Sequence, residues 1–160
     1  MKHKQDFSSY STVDNLFVLT SIIEEKISKP KGKVFAFFVD FSAAFDTINR
    51  IALLYKLHCL GFSTKIIYRS TKAKVWTKNG FTESFESSTG VRQGCLLSPD
   101  LFNLFINDLS DYIDLGGFLI DGIWIRILLY ADDIVFIAEN EKVLQKMIDK
   151  LSNYCEKHFI

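Results

Sequence analysis

The stretch Ile127-Leu128-Leu129-Tyr130-Ala131-Asp132-Asp133-Ile134-Val135-Phe136-Ile137-Ala138 places two adjacent aspartates between two apolar runs. We predict a β-hairpin with Asp132 and Asp133 at its tip and buried strands on either side. An ionised carboxylate near an apolar core is costly unless it is paired or holds a metal, and two adjacent carboxylates also repel each other. A divalent cation is the simplest explanation. Asp-Asp is also common in ordinary turns, and that alternative stays open.

A third carboxylate follows another apolar run. Residues 34–39 come after the chain-breaking segment Lys29-Pro30-Lys31-Gly32-Lys33, and they predict a strand that is buried on both faces and ends in Asp40. Beside the hairpin tip, Asp40 would complete an all-oxygen site for Mg²⁺. Two such ions stabilise the attacking and leaving oxygens of an in-line phosphoryl transfer. Taken by itself, Asp40 also fits an aspartate that compensates a helix dipole.

Three segments together resemble the motifs of a known family. The segment Phe37-Phe38-Val39-Asp40-Phe41-Ser42-Ala43-Ala44-Phe45-Asp46 is similar to motif A of reverse transcriptases from non-LTR (LINE-type) retrotransposons. The segment Gly90-Val91-Arg92-Gln93-Gly94-Cys95-Leu96-Leu97-Ser98-Pro99 resembles motif B, and Tyr130-Ala131-Asp132-Asp133 resembles motif C. They occur in the family's order and at comparable spacing. The resemblance implies an RNA-directed DNA polymerase that transfers a nucleotide from a dNTP to a primer 3′-hydroxyl.

The resemblance also implies a metal site and a set of partners. Asp40, Asp132 and Asp133 would be the catalytic carboxylates, and they would bind the metal together with the backbone carbonyl of Phe41. The implied cofactor is Mg²⁺, with Mn²⁺ as a substitute. The implied partners are an RNA template, a DNA primer and dNTPs, with no membrane.

Motifs A and B also imply residues that contact the nucleotide. Phe45 takes the place of the family's steric gate, where an aromatic ring excludes the 2′-hydroxyl of a ribonucleotide. Gln93 and Gly94 would lie against the incoming nucleotide, and Arg92 would contact a template or primer phosphate. Considered without the family, Phe45 fits the core stripe of a helix, and motif B fits a glycine-rich connection with an exposed arginine.

The formal net charge is zero, but the charges are segregated along the chain. No acidic residue lies between Thr47 and Thr82, whereas the segment from Asp100 to Asp133 has Arg126 as its single basic residue. The basic residues of the first segment are Arg50, Lys56, Lys65, Arg69, Lys72, Lys74 and Lys78. A basic surface beside an acidic metal site fits a polymerase, so we predict that Lys65, Arg69 and Lys72 contact nucleic acid. A solvated basic face is the alternative.

The remaining pattern predicts an α+β fold. Helices are predicted over about 12–27, 42–58 and 98–113, with a short basic helix from Ser63-Thr64 and a last helix from Asn140. Asn79-Gly80 predicts a second hairpin. Helices on one face of a small antiparallel sheet make a two-layer architecture. The palm of the family, with part of its fingers, has this form.

A chain of 160 residues has room for one core, so we predict a single domain over residues 1–160. The family's Gly-Phe-Arg segment before the first helix, its motif D, its thumb and its endonuclease domain are not found in the sequence. We therefore expect a partial domain that is weakly active or inactive. The sequence shows no signal peptide or membrane span, and its three separated cysteines indicate reduced core thiols in an intracellular protein.

Alternatives stay open both outside the polymerase class and within it. The chain is either an active polymerase domain or a catalytically inactive palm remnant that folds and binds nucleic acid weakly or not at all. Within the polymerase class, group II intron and retron reverse transcriptases are the rivals. The amino-acid sequences of residues 41–46 and of motif B favour the retrotransposon type.

Overall fold

The computed structural model describes residues 12–63, 71–130 and 132–158. Within them the helices are α1 (Thr12–Ile27), α2 (Ala44–Thr47), α3 (Arg50–Cys59), α4 (Ser98–Ile106), α5 (Leu109–Tyr112) and α6 (Glu141–His158). The strands are β1 (Phe35–Asp40), β2 (Lys72–Ala73), β3 (Trp76–Thr77), β4 (Gly80–Phe81), β5 (Phe85–Glu86), β6 (Phe118–Ile120), β7 (Ile123–Ile125), β8 (Ile127–Tyr130) and β9 (Asp133–Ala138). Helices with small antiparallel sheets confirm the predicted α+β class.

The described residues form two compact units. One unit comprises the described residues up to Ser42 together with residues 106–157, and the other comprises residues 43–105 with His158. Each unit is described by itself below. The expectation of a single domain stays a prediction.

The first unit contains an antiparallel sheet with the strand order β1-β9-β8. β8 and β9 form the predicted hairpin, in which Tyr130 lies opposite Asp133 and Ile127 opposite Phe136. β1 pairs with the other side of β9, from Phe35 opposite Ala138 to Asp40 opposite Asp133. The two apolar runs that flank Asp132-Asp133 are therefore the centre and one edge of this sheet.

One face of the sheet packs against α1. Leu19 of α1 belongs to a buried cluster with Leu128 of β8 and Ile137 of β9. The side-chain amide of Asn15 donates a hydrogen bond of 2.8 Å to the backbone carbonyl of Leu129. Apolar spacing predicted the helix correctly, and this contact fixes the side of the sheet that it covers.

The other face of β8 and β9 is buried as well. Ile127 and Leu129 alternate with Leu128 along β8, and Ile134 and Phe136 lie opposite them on β9. All five side chains are at most 8% exposed. These strands therefore contribute apolar side chains to both faces, as their continuous apolar sequence predicts.

The predicted burial of residues 34–39 on both faces is wrong. Phe38 is 67% exposed and Phe37 36%, and Ala36 is also exposed. Among the described residues β1 pairs with β9 alone, so it is an edge strand of this sheet. An apolar run alone does not distinguish an edge strand from a central one.

The last helix, α6, begins as predicted. The side chain of Asn140 accepts a hydrogen bond of 2.9 Å from the backbone N–H of Val143 and caps the helix. Met147, Leu151 and Tyr154 form its buried stripe. The Tyr154 hydroxyl donates a hydrogen bond of 2.6 Å to Asp108. Burial, and then this hydrogen bond, raise the pKa of Tyr154.

In the second unit, the single helix predicted over residues 42–58 is wrong, because the chain forms α2 and α3. Ile48 has an extended ψ of 125° and ends α2. The side chain of Asn49 then accepts hydrogen bonds from the backbone N–H groups of Ile51 and Ala52. An asparagine cap therefore starts a new helix where the apolar spacing alone suggested continuity.

The helix predicted over residues 98–113 is also divided, into α4 and α5. Leu109 and Ile113 are fully buried, as its apolar spacing predicted. The sequence Ser98-Pro99-Asp100 predicts that Ser98 caps this helix. Its hydroxyl instead donates a hydrogen bond of 2.6 Å to the carbonyl of Arg92 and so attaches the start of α4 to motif B.

The described part of the chain contains two further hairpins. The predicted one at Asn79-Gly80 is confirmed, with Trp76 opposite Phe81. The hairpin of β6 and β7 was not predicted. Its turn contains Asp121 at φ 48° and Gly122 at φ 82°, and Asp-Gly between apolar runs is a strong signal for such a turn.

A few expectations concern other parts of the chain. The basic helix predicted from Ser63-Thr64 lies largely outside the described residues. Cys59 is exposed, so it is not a core thiol, whereas Cys95 and Cys155 are half-buried, and burial raises the pKa of the Cys155 thiol. None of the helices in the described part of the chain is long and apolar enough to cross a bilayer.

Candidate active site

The carboxylate edge of the first unit consists of Asp40, Asp132 and Asp133. Asp40 is the last residue of β1, Asp133 is the first residue of β9, and the two lie directly opposite each other. Directly opposed residues of antiparallel strands place their side chains on the same face, with Cβ atoms roughly 4.5–5.5 Å apart. The strand register therefore brings together two carboxylates that are far apart in sequence.

The surroundings of these carboxylates differ from the prediction. The body of the hairpin is buried, but Asp133 and Asp40 are exposed and Asp132, in the turn, is half-buried. The strand ends extend beyond the apolar core, so the carboxylates keep contact with water. The desolvation cost that supported the prediction of a cation is therefore small here. Mutual repulsion, rather than burial, is what a cation would relieve here.

The donor chemistry of the edge fits Mg²⁺. This ion prefers oxygen ligands, and it is usually held by one or two carboxylates together with water and substrate phosphates. Asp40 and Asp133 on one face of the sheet match that pattern. Within the described ranges no three acidic, histidine or cysteine side chains converge closely enough to hold a metal. Asp132 and the carbonyl of Phe41 as additional ligands stay predictions.

A cavity of about 380 Å³ lies next to the carboxylate edge, on the face of the sheet that α1 covers. Its lining is mostly apolar, and both opposed carboxylates contribute to it. The lining includes Leu16, Phe38, Asp40, Leu128, Tyr130 and Asp133. The two charges therefore lie beside a mainly apolar space as well as beside water.

In the second unit, motif B is hydrogen-bonded to the second half of motif A. Phe45 lies in α2, and its carbonyl accepts a hydrogen bond of 2.7 Å from the N–H of Val91. Its half-buried ring lies 5.2 Å from that of Phe102. Phe45 therefore has the core contact expected from the helix stripe, and its role as a steric gate stays a prediction.

The Gly90 loop, residues 87–94, approaches this backbone closely. A Cβ atom at Gly90 would lie 2.7 Å from the carbonyl oxygen of Asp46 and 2.8 Å from that of Phe45, and Gly90 has a φ of 73°. Both observations require glycine. Gly94, at φ 79°, has open space around its missing Cβ position.

Gln93, predicted to contact the nucleotide, is exposed and hydrogen-bonded to motif A. Its Nε2 lies 2.9 Å from each carboxylate oxygen of Asp46. Because this amide nitrogen donates to Asp46, the amide oxygen of Gln93 is the atom left to accept a hydrogen bond from a ligand. The pairing of Gln93 with Asp46 was not predicted from the sequence.

The basic residues divide into exposed and internally bonded groups. Lys72 and Arg92 are exposed, and Arg92 also donates a hydrogen bond of 3.2 Å to the Thr71 hydroxyl. Their role in binding nucleic acid stays a prediction. Lys65 and Arg69 lie outside the described residues.

Two cations of the predicted basic surface are engaged inside the second unit, so the prediction is wrong for them. Arg50 is 9% exposed, and Lys56 donates a hydrogen bond of 2.5 Å to the carbonyl of Phe105. The sequence contained a signal for Arg50, because it shares helical spacing with the buried Leu53 and Leu57.

Comparisons with known proteins agree with the motifs. The chain is 28% identical over 145 residues to the "Retrovirus-related Pol polyprotein from type-1 retrotransposable element R2" of Nasonia vitripennis, which covers 86% of this chain and 14% of that protein. It is 28% identical over 138 residues to the "Transposon TX1 uncharacterized 149 kDa protein" of Xenopus laevis, covering 79% and 10%. The chain thus spans a small part of the length of these relatives. Because these relatives are proteins of transposable elements, the comparison confirms the resemblance to non-LTR retrotransposon proteins.

The fold is also similar to that of a solved protein. The apo telomerase of Candida tropicalis superposes with a TM-score of 0.66 at 16% identity, covering 98% of this chain and 32% of the telomerase. This similarity supports the fold. The sequence model of the family "Reverse transcriptase (RNA-dependent DNA polymerase)" matches residues 3–160. Because that match spans almost the whole chain, the protein belongs to the reverse transcriptase family.

Proposed function

We propose that this chain catalyses RNA-directed DNA synthesis by transferring a nucleotide from a dNTP to a primer 3′-hydroxyl. The observation that supports this most is the register that places Asp40 opposite Asp133 on one face of the sheet. A pair of like charges at directly opposed positions destabilises a sheet unless another group compensates it. Phosphoryl transfer provides a reason to keep such a pair, since its transition state is stabilised by carboxylate-bound cations.

Asp40, Asp132 and Asp133 would hold Mg²⁺, or Mn²⁺ in its place. When bound, the metal would activate the primer 3′-hydroxyl and neutralise charge on the phosphates. Asp40 and Asp133 would contribute anionic oxygens from two paired strands, which favours accurate positioning of the ligands. The carbonyl of Phe41, directly after Asp40, would add a neutral oxygen ligand.

The second unit would bind the nucleotide and the nucleic acid. The Nε2 of Gln93 donates a hydrogen bond to Asp46, so its amide oxygen would accept one from the incoming nucleotide. Gly94 would permit close approach of the nucleotide to the backbone. Phe45 would exclude the 2′-hydroxyl. The exposed cations Lys72 and Arg92, with Lys65 and Arg69, would contact phosphates of an RNA template and a DNA primer.

A second candidate function is a folded remnant without catalysis. It is favoured by one finding, that no three potential metal ligands converge within the described residues. Two-metal chemistry needs ligands for both ions, so a loosely assembled edge would bind the metal weakly and react slowly.

Single-nucleotide addition to a DNA primer annealed to RNA separates the two functions. We expect slow incorporation of the templated dNTP that depends on Mg²⁺ or Mn²⁺ and is lost in Asp40→Asn. Asp121→Asn is the matched control, because it removes an exposed carboxylate of the same unit at the turn between β6 and β7. A folded wild-type chain that adds no nucleotide at any metal concentration would establish the remnant.

A further inference from the structure

Arg50 occupies an unusual position for a basic residue of a polymerase. It is the first residue of α3, directly after the Asn49 cap, and it is 9% exposed. Removing a guanidinium from water is costly unless its N–H groups are hydrogen-bonded. The partners of Arg50 therefore indicate why this charge is buried.

Ser87 and Gly90 of the Gly90 loop are among those partners. The Nε of Arg50 donates a hydrogen bond of 2.6 Å to the carbonyl of Gly90. One terminal nitrogen donates to the carbonyl of Ser87, and the other lies 3.4 Å from the Ser87 hydroxyl. Hydrogen bonds from a charged donor are about twice as strong as neutral ones. The side chain thus connects α3 to both ends of the segment 87–90.

The peptide between Gly90 and Val91 is held at both of its polar groups. Its carbonyl accepts from Arg50, and its N–H donates to the carbonyl of Phe45 at 2.7 Å. A peptide group is planar, so these two contacts together oppose rotation of the whole unit. Gly90 by itself would allow such rotation, because glycine adopts several backbone conformations.

The orientation of this peptide determines where the next residues lie. Gln93 and Gly94 follow within four residues and are exposed, whereas Arg92 is fixed through its carbonyl by Ser98. Rotation of the Gly90–Val91 peptide would break the contact with Phe45 and release one anchor of this short segment. The Gly90 N–H, which donates to the carbonyl of Ile48 at 2.8 Å, and Gln93, which is bonded to Asp46, are further anchors.

We propose that Arg50 is a positioning residue of the nucleotide site. It holds the Gly90–Val91 peptide in one orientation, so that Gln93 and Gly94 are presented to the incoming dNTP in a fixed conformation. The effect of Arg50 on nucleotide binding rests on the proposed function. The hold on the peptide rests on the hydrogen bonds alone.

The test compares Arg50→Gln, Arg50→Lys and the control Lys56→Gln in the full chain. Lys56→Gln also removes a cation of α3 that hydrogen-bonds a backbone carbonyl, but that carbonyl belongs to Phe105. Hydrogen exchange of the segment 88–94 and the Kd of dTTP, measured by titration calorimetry with poly(rA)/oligo(dT), are the two readouts. KM and kcat of single-nucleotide addition are measured alongside.

We expect Arg50→Gln to accelerate exchange of the Val91 amide, because it removes the charged donors to Gly90 and Ser87. The Kd and KM for dTTP should rise about tenfold, a change of about 1.4 kcal/mol in binding free energy. The kcat should change much less, because a better-ordered loop improves ground-state and transition-state binding alike. Arg50→Lys restores one donor and should recover part of both effects. Lys56→Gln should lower the melting temperature without changing either readout.

A lower melting temperature of Arg50→Gln with wild-type exchange at Val91 and wild-type Kd would overturn the proposal, because Arg50 would then only stabilise the fold. If Arg50→Gln does not fold, the same comparison is decided by Arg50→Lys. Failure of the wild-type chain to bind dTTP would reject the proposed function and the nucleotide part of the proposal. The exchange of Val91 would then show separately whether Arg50 holds the peptide.

Discussion

The carboxylate edge and the Gly90 loop are positioned by different means. At the edge, the register of two strands sets Asp40 against Asp133, and among the described residues neither side chain has a hydrogen bond or an ion pair. In the loop, Gly90 accepts a hydrogen bond from Arg50, Gln93 donates to Asp46, and Val91 donates to the carbonyl of Phe45. One region sets two like charges at opposed strand positions, and the other has its polar groups paired.

This difference indicates which region a bound ligand would stabilise most. Functional sites commonly keep groups that lower the stability of the free protein, because the ligand compensates them. The edge fits that description, and the loop resembles a preformed support. Substitutions in the loop should therefore destabilise the protein, whereas neutralising the edge should stabilise it when no metal is present.

The largest effect is expected for Gly90→Ala. The new methyl group would overlap the backbone of Phe45 and Asp46, and alanine disfavours the positive φ of Gly90. We expect a loss of about 2–5 kcal/mol in the free energy of unfolding. Urea denaturation followed by circular dichroism measures it.

Gly94→Ala is the matched control, because Gly94 has a similar φ but open space around the methyl position. It should cost about 1–2 kcal/mol, the strain of the backbone alone. Equal losses for the two variants would contradict the close approach of the loop to motif A.

A smaller effect of the opposite sign is expected at the edge. In EDTA, Asp133→Asn removes one of two opposed like charges and should raise the melting temperature by about 1–2 °C. Differential scanning calorimetry measures the shift, with Asp121→Asn as the control for loss of an exposed carboxylate. A clear decrease in EDTA would show that Asp133 has a stabilising partner and that the edge is not strained.

The sequence predicted the elements of the site better than their surroundings. Local patterns were sufficient for the Asp132-Asp133 hairpin, for α1 and for α6, because each depends on spacing or on a cap within a few residues. The same patterns did not reveal that β1 is an edge strand, since that depends on which strands pair. The exposure of Asp40 and Asp133 depends on the same long-range pairing.

The internal role of Arg50 shows a second limit. Its charge suggested a surface that binds phosphate, although its spacing with Leu53 and Leu57 indicated the buried side of α3. The charge alone was used for the prediction, and the structure places Arg50 on the buried side of α3 instead. The hydrogen bonds to Ser87 and Gly90 connect residues about forty positions apart, so no local pattern could have identified these partners.

The most direct test of the central claim is a metal titration followed by the melting temperature. If Asp40 and Asp133 hold a divalent cation together, Mn²⁺ at ten times its Kd should stabilise the wild-type chain by about 1.4 kcal/mol, a rise of about 3–5 °C. Asp40→Asn should lose this gain, and Asp121→Asn should keep it. A wild-type chain that gains nothing from Mn²⁺ or Mg²⁺, or an equal gain in all three proteins, would contradict the account.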